Sequence, residues 1–331
     1  MSSTATTDPI EPPHRSDRLV YLLLVLAIIG LLVAVPFTLR SIGVELLGAQ
    51  QEVFYDFPGG DPVTLAAAKE LEAIESFYNI TLLDVDESAG SIDIALSGNR
   101  HCENKDCPEL TVTLIAYNGD VLVRRGLPPT ETISIPTDVA AFSDQVTLPI
   151  VGWPSQYPFD RYRLRIGVAF ARIEDGKTLY LPPDQVNGYS YGAIQNATRD
   201  LIMGPPVEVP LDTVFDPSDP FSPAGVQDVE LKRPVYLLVL SVTLVSLITV
   251  SSALSLMSRA VNEALVGIGS LVLGVWGVRS VLVPANLGVV SSIDIALSLV
   301  IMMLMIGLTV RSAQHIRQRS AINLLPRRSR D

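Results

Sequence analysis

Four long apolar runs, at 19–39, 234–256, 264–284 and 287–310, dominate the pattern of hydrophobic and polar positions. Each is about 20 residues long, enough for an α-helix to cross the ~30 Å hydrocarbon core of a bilayer. Between the first run and the second the period changes. At Ile92, Ile94 and Leu96 apolar side chains alternate with Asp93, Ala95 and Ser97, the pattern of a strand with one buried face. Further strands are expected at 110–116, 121–123, 132–135, 145–150, 163–171 and 178–181. Turns fall at Asn118-Gly119-Asp120 and Asp175-Gly176, where the residues tolerate the positive φ of tight hairpins. One helix is expected over 63–78, around the helix formers Ala66, Ala67, Ala68, Lys69, Glu70, Leu71 and Glu72. The Pro-, Asp- and Ser-dense stretch from 205 onward reads as a linker, 205–233, returning the chain to the membrane.

The expected fold class is therefore a membrane protein of α+β type, with four transmembrane helices arranged one before and three after an extracytoplasmic β-sandwich-like domain at 40–233. The strands suit an immunoglobulin-like or jelly-roll arrangement without fixing the topology. Tails at 1–18 and 311–331 complete the chain.

Composition supports this reading. Over 331 residues the mean hydropathy is +0.36 and 18% of side chains are charged, too apolar for two soluble domains. Arg15 and Arg18 before the first run would also suit a secretory signal peptide, which would leave three helices if cleaved. The run is longer than a signal core and no A-x-A site follows it, so the helix is expected to be retained. Basic residues orient the spans, because Lys and Arg beside a span resist translocation. Arg311, Arg317, Arg319, Arg327, Arg328 and Arg330 put the C-terminus in the cytoplasm, and four spans put the N-terminus there too, in a plasma-membrane protein. Arg259 agrees, whereas Arg40, Lys232 and Arg233 lie on the outer side against the trend. The net charge is -11 with the acidic residues gathered in the external region, which disfavours nucleic acid as a partner and leaves the bilayer and an envelope or protein component.

Little in the motifs points to catalysis. The three histidines are His14, His101 and His315, two of them in tails, and no hydrolase elbow, zincin helix or phosphate loop occurs. The expected activity is non-enzymatic, with no cofactor and no metal. Cys102 and Cys107 flank a short loop in an oxidising compartment, and a disulfide is the first reading. A metal site of both thiolates with His101 and Asp106, serving an external enzyme, is the alternative. Asn79 and Asn196 open glycosylation sequons.

The segment Trp153-Pro154-Ser155-Gln156-Tyr157-Pro158-Phe159-Asp160-Arg161-Tyr162 is the densest aromatic and proline cluster of the external region. As structure, Trp153, Tyr157 and Phe159 would plug one end of the sandwich with Asp160 capping a turn. As function, Tyr157, Phe159 and Asp160 are the candidate ligand or partner contact. Tyr-Pro-Phe-Asp-x-Tyr in an external β-domain followed by three helices resembles an uncharacterised family of integral membrane proteins, a resemblance extending to Trp276-Gly277-Val278-Arg279 and Asp294. It implies a membrane location and no established activity. A weaker similarity links the chain to pentameric ligand-gated channels, from which it departs in cysteine placement and helix number.

Inside the spans, ionisable groups are expensive and so are candidates for function. Arg279 and Asp294 each fall about 7 Å below the outer boundary at ~1.5 Å rise per residue and can pair between the third and fourth spans. Gly267, Ser270, Gly274 and Gly277 permit close helix packing. Ser241, Thr243, Ser246, Thr249, Ser251 and Ser252 could line a polar path, which keeps transport or conduction as the second functional expectation behind binding, sensing or scaffolding through the external domain.

Overall fold

A computed structural model describes residues 53–63, 76–100, 107–117, 128–174, 176–211, 223–257, 261–283 and 287–323, with scattered positions between 22 and 43. Most of the expected 63–78 helix, the 121–123 strand with its Asn118-Gly119-Asp120 turn, and both tails up to 21 and from 324 lie outside the described residues. The chain divides into two compact units, one of Ile42–Leu238 with Pro284–Ser292, the other of Met1–Ser41, Val239–Val283 and Ile293–Asp331.

The first unit is built on strands. In chain order these are β1 (Phe54–Phe57), β2 (Pro62–Val63), β3 (Phe77–Asp86), β4 (Ser91–Asn99), β5 (Leu110–Ala116), β6 (Thr130–Ile135), β7 (Ala141–Pro149), β8 (Val151–Gly152), β9 (Arg161–Glu174) and β10 (Lys177–Tyr180). After a short helix, α1 (Pro183–Tyr189), come β11 (Tyr191–Asn196), β12 (Ile202–Met203), β13 (Val207–Glu208) and β14 (Gly225–Lys232). One sheet has the order β2-β1-β11-β3-β4-β7; the other has β12-β14-β9-β5-β6, with β8 and β10 on β9 and β13 on β14. Among the described residues all pairings are antiparallel but that of β11 with β3, which is parallel from Tyr191↔Phe77 to Asn196↔Leu82.

Alternation explains why these segments pack as two sheets on one core. Along β4, Ile92, Ile94 and Leu96 are fully buried, while Asp93, Ala95 and Ser97 are partly exposed. Ile80, Leu82, Val112, Leu114, Leu148, Leu164, Ile166 and Ile194 join them from both sheets in a single core. Each such side chain contributes roughly 1.5–3 kcal/mol of transfer free energy. Tyr78 of one sheet meets Phe170 of the other with ring centroids 5.0 Å apart. Two expectations fail here. Phe77 and Tyr78, expected in the helix, begin β3, because strand alternation turns the Tyr78 ring into the core, with Phe77 half-buried on the other face. Gly225–Lys232, expected as linker, is a full strand paired with β9 from Gly225↔Val168 to Lys232↔Arg161. Its Val226, Val229 and Leu231 are fully buried, a pattern overshadowed in sequence by the proline-rich stretch before it.

The second unit is helical. Three helices follow the β-domain: α2 (Val235–Met257), α3 (Val261–Leu282) and α4 (Ser292–Asn323). Two segments are long and apolar enough to cross a membrane, Val235–Leu256 and Ser292–Gln314, with mean hydropathies of 2.3 and 2.4. Ile28–Arg40 and Gly267–Leu282 are shorter apolar helical stretches among the described residues, which therefore hold two candidate spans of the four expected. Leu273, Trp276 and Val281 on α3 are 76%, 68% and 79% exposed, an apolar surface that suits hydrocarbon better than water.

Small residues act where expected in part. A Cβ on Gly267 would meet Ser255 Oγ at 2.7 Å and one on Gly307 would meet Leu256 Cδ2 at 2.6 Å, so both glycines let α2 approach its neighbours closely. Gly274 and Gly277 have nothing within 4 Å and do no such work among the described residues. Thr243 and Thr249 donate to Val239 O and Val245 O of their own helix at 2.7 and 2.8 Å. Ser241 and Ser252 are buried with no hydrogen-bond partner for either hydroxyl among the described residues. Arg311 Nη1 donates at 3.0 Å to Leu256 O near the end of α2, a capping role for a residue expected only to fix topology.

Close approach also governs the β-domain. A Cβ on Gly192 of β11 would lie 2.4 Å from the Tyr78 ring, which is 2% exposed and wedged against Phe57 and Phe170. Gly192→Ala is expected to cost roughly 1–3 kcal/mol, about 2–12 °C in the Tm of a domain this size. Thermal unfolding of the purified variant checks this, and an unchanged Tm would mean that the Tyr78 ring can move aside.

Candidate functional site

At one end of the two-sheet domain three chain segments converge. The first is the turn between β3 and β4, where Asp86 Oδ1 accepts from Ser88 N at 2.9 Å, Ser88 Oγ at 2.7 Å and Ala89 N at 2.8 Å. Gly90 completes the reversal at φ 64°, a conformation that favours glycine. This turn presents Glu87. The second is the stretch from 153 to 160, tightened by bonds from Gln156 N to Trp153 O at 2.9 Å, Tyr157 N to Pro154 O at 3.1 Å and Phe159 N to Gln156 O at 2.8 Å. The Tyr157–Pro158 peptide is cis. The third is the end of β14. Because Lys232 pairs with Arg161, continuing that antiparallel register sets Arg233 against Asp160.

The result is a buried ion cluster. Arg233 Nε donates to Asp160 Oδ2 at 3.1 Å and Oδ1 at 3.3 Å, and Arg233 Nη2 donates to Glu87 Oε1. The three side chains are 2%, 0% and 6% exposed respectively for Arg233, Asp160 and Glu87. The guanidinium lies 4.9 Å from the centroid of the buried Tyr157 ring, and Tyr162 Oη donates to Asp160 Oδ2 at 2.9 Å. Glu87 Oε2 has no partner among the described residues. Beside the cluster lies a cavity of about 20 Å³ lined by Asp84, Glu87, Thr198, Asp200 and Arg233 among others. That is room for about one water, the natural donor to an unsatisfied carboxylate oxygen.

Burial sets the electrostatics. It pushes the Asp160 carboxyl up to about 6, against the pull of the Tyr162 hydrogen bond. It lowers Arg233 to about 10. Burial, then the charge of Asp160, pushes the Tyr157 phenol up to about 12. Removed from water, neither carboxylate nor guanidinium is comfortable alone, and each is tolerated because the others are there. The site can hold charge, and Asp160 can exchange a proton near pH 6.

Residues 110–220 match the model of an uncharacterised family, a domain of unknown function (DUF4436). No curated protein matches the chain. The matched span carries β5 through β13 and the Tyr157–Asp160 half of the cluster, while Glu87 and Arg233 fall on either side of it.

The expected contact residues separate. Tyr157 and Asp160 are 2% and 1% exposed and face inward, so neither is open to a partner in this conformation, whereas Phe159 is 49% exposed. Trp153 and Phe159 do not plug the sandwich, Trp153 being 57% exposed, and the Asp160 carboxylate serves Arg233 and Tyr162. Arg279 Nε donates to Asp294 Oδ1 at 2.5 Å, bringing the two charged residues of α3 and α4 together. Cys107 is buried at 4% exposure, but Cys102, His101 and Asp106 lie outside the described residues, as do the contacts that would decide between disulfide and metal. Among the described residues no group of three or more His, Cys, Asp or Glu could hold a metal ion. The Asn79 Nδ2 and Asn196 Nδ2 amides donate to Thr81 Oγ1 at 3.2 Å and Leu201 O at 2.8 Å, so both sequon side chains have structural employment.

Sequence reasoning passed over Glu87 and Arg233. The signal for Arg233 was its position, a cation directly before an apolar run on the side where the expected topology disfavours one. Glu87 gave none, being one acid among many. Arg233→Met leaves two buried carboxylates without a counter-charge and is expected to destabilise the domain by roughly 3–5 kcal/mol, read by denaturant or thermal unfolding. Asp160 supplies a pH test. Its folded pKa of about 6 lies above the usual 3.8 of an aspartate in water, so the folded chain binds the proton more tightly than the unfolded one. This contribution to stability is complete below the unfolded pKa and is lost as pH rises through the folded one. Asp160→Asn is expected to remove that part of the slope in unfolding free energy between about pH 4 and 6, and an unchanged slope would show that Asp160 ionises normally.

Proposed function

We propose that this is a multi-pass plasma-membrane protein that binds or senses an external protein or envelope component through its β-domain, without catalysis. In this reading the chain crosses the bilayer four times, with both termini in the cytoplasm and residues 40–233 outside. The observation that carries it is Arg233, gripped by two buried carboxylates only two residues before the start of α2. A strand fixed this firmly at its junction with an apolar helix transmits what the domain binds, where a flexible linker would absorb it. The external compartment also favours the Cys102–Cys107 disulfide, which non-reducing peptide mass analysis reads directly. Partner contact falls to exposed apolar positions on the outer strands, of which Leu179 on β10 and Val207 on β13 are 55% and 63% exposed. Photocrosslinking side chains placed at Leu179 and Val207 in intact cells are expected to give a discrete adduct, and the absence of adducts at both would sink the binding reading.

The Arg279–Asp294 pair supports a second reading, transport or conduction through the helices. It expects ion or solute flux in reconstituted vesicles that falls in Asp294→Asn. Vesicles no leakier than protein-free controls would reject it.

A further inference from the structure

The convergence that holds Arg233 also gathers the two chain segments that lead into the long apolar helices. Arg233 and Pro234 lead into α2. Ser292, the first residue of α4, donates from Oγ to Ser155 O at 3.1 Å, within the 153–160 turn. A Cβ on Gly288, in the loop before α4, would rest against Ser88 Cβ at 3.4 Å, on the turn that presents Glu87. If α2 and α4 cross a bilayer, the surface of that bilayer lies where they begin, and whatever stands exposed at this convergence stands at headgroup depth.

What stands exposed there is apolar and aromatic. Trp153 and Phe159 are 57% and 49% exposed on a turn stiffened by two prolines, and Val290 in the loop before α4 is 66% exposed. Arg161, next to the turn, keeps its side chain 70% exposed while pairing with Glu230 at 3.2 Å. Aromatic rings with a cation beside them match the boundary between acyl chains and phosphates, where Trp is enriched because its body is apolar and its N–H is polar. A preformed turn loses little conformational entropy on insertion.

We propose that Trp153 and Phe159 insert into the headgroup boundary of the outer leaflet, making the 153–160 turn a lipid-contacting foot of the β-domain, with Arg161 directed to phosphate. This rests on the membrane reading above and adds to it a lipid surface as the occupant of this patch. It also gives the exposed half of the Tyr-Pro-Phe-Asp motif a different partner from its buried half.

The chain has two tryptophans, so Trp276→Phe leaves Trp153 as the single reporter. The full-length variant is reconstituted into phosphatidylcholine vesicles with or without bromine at shallow acyl carbons, and the vesicles are floated before measurement. The expected result is emission blue-shifted from that of tryptophan in water, lost in shallow-brominated vesicles and insensitive to aqueous iodide. Phe159→Trp in a Trp153→Phe, Trp276→Phe background is expected to behave alike, which guards against misfolding of one variant. Quenching by iodide and not by bromine overturns the proposal. Shielding from both also overturns it, because protein then covers the patch. Protein that does not float with the vesicles refutes the membrane reading itself, a failure separate from that of the foot.

Discussion

The structure depends on one buried arginine. Arg233 ends the last strand of the β-domain and is enclosed by carboxylates from two other loops, Asp160 from the approach to β9 and Glu87 from the turn after β3. Hydrophobic burial alone would leave the relative placement of these three segments loosely specified, since any apolar surface satisfies another. A guanidinium removed from water does not have that freedom. It tolerates only positions in which its donors meet acceptors, and Glu87 and Asp160 supply them from opposite sheets. Such a cluster adds little net stability over a well-packed apolar core, yet losing one member is severe, so its contribution is to fix one arrangement among many. That is the requirement at a place where a folded domain becomes a helix.

How much of this could be read beforehand follows from the range of each signal. Period-two alternation is local, and it located β4, β5, β9 and β10 to within a few residues. The apolar runs are local too, and gave α2 and α4. What escaped is non-local or hidden by a stronger neighbour. Tyr78 reads as the tail of a helix because Ala66 to Glu72 precede it; only its contacts with Phe57 and Phe170 make it core. β14 reads as linker because of the prolines before it, although its Val229 and Leu231 alternate with Asp228, Glu230 and Lys232 as a strand requires once the prolines are set aside. The parallel pairing of β11 with β3 joins segments about a hundred residues apart in sequence and has no local trace.

The candidate site divides along the same line. The Tyr-Pro-Phe-Asp stretch announced itself by composition, but composition does not say which way a side chain turns. Tyr157 and Asp160 turn in toward Arg233 while Trp153 and Phe159 turn out. A tight turn with bonds at Gln156, Tyr157 and Phe159 splits the motif in this way, because side chains on successive residues of a reversal cannot all share one face. The motif therefore has two tasks, one internal and one at the surface, and neither is visible in the string of letters.

Arg233 also resolves an inconsistency in the charge pattern. Positive residues beside membrane spans belong mainly on the cytoplasmic side, and under the proposed topology an arginine against α2 argues for the opposite orientation if each charge is counted alike. The count presumes a charge standing in water or at headgroups. Arg233 does not stand there: it is 6% exposed overall, with its charge answered by two carboxylates of the folded domain. Lys232 beside it is exposed and retains its vote. A topology rule built on exposed charge should discount a basic residue once the fold has neutralised it, and Arg233, so discounted, no longer counts against the proposed topology.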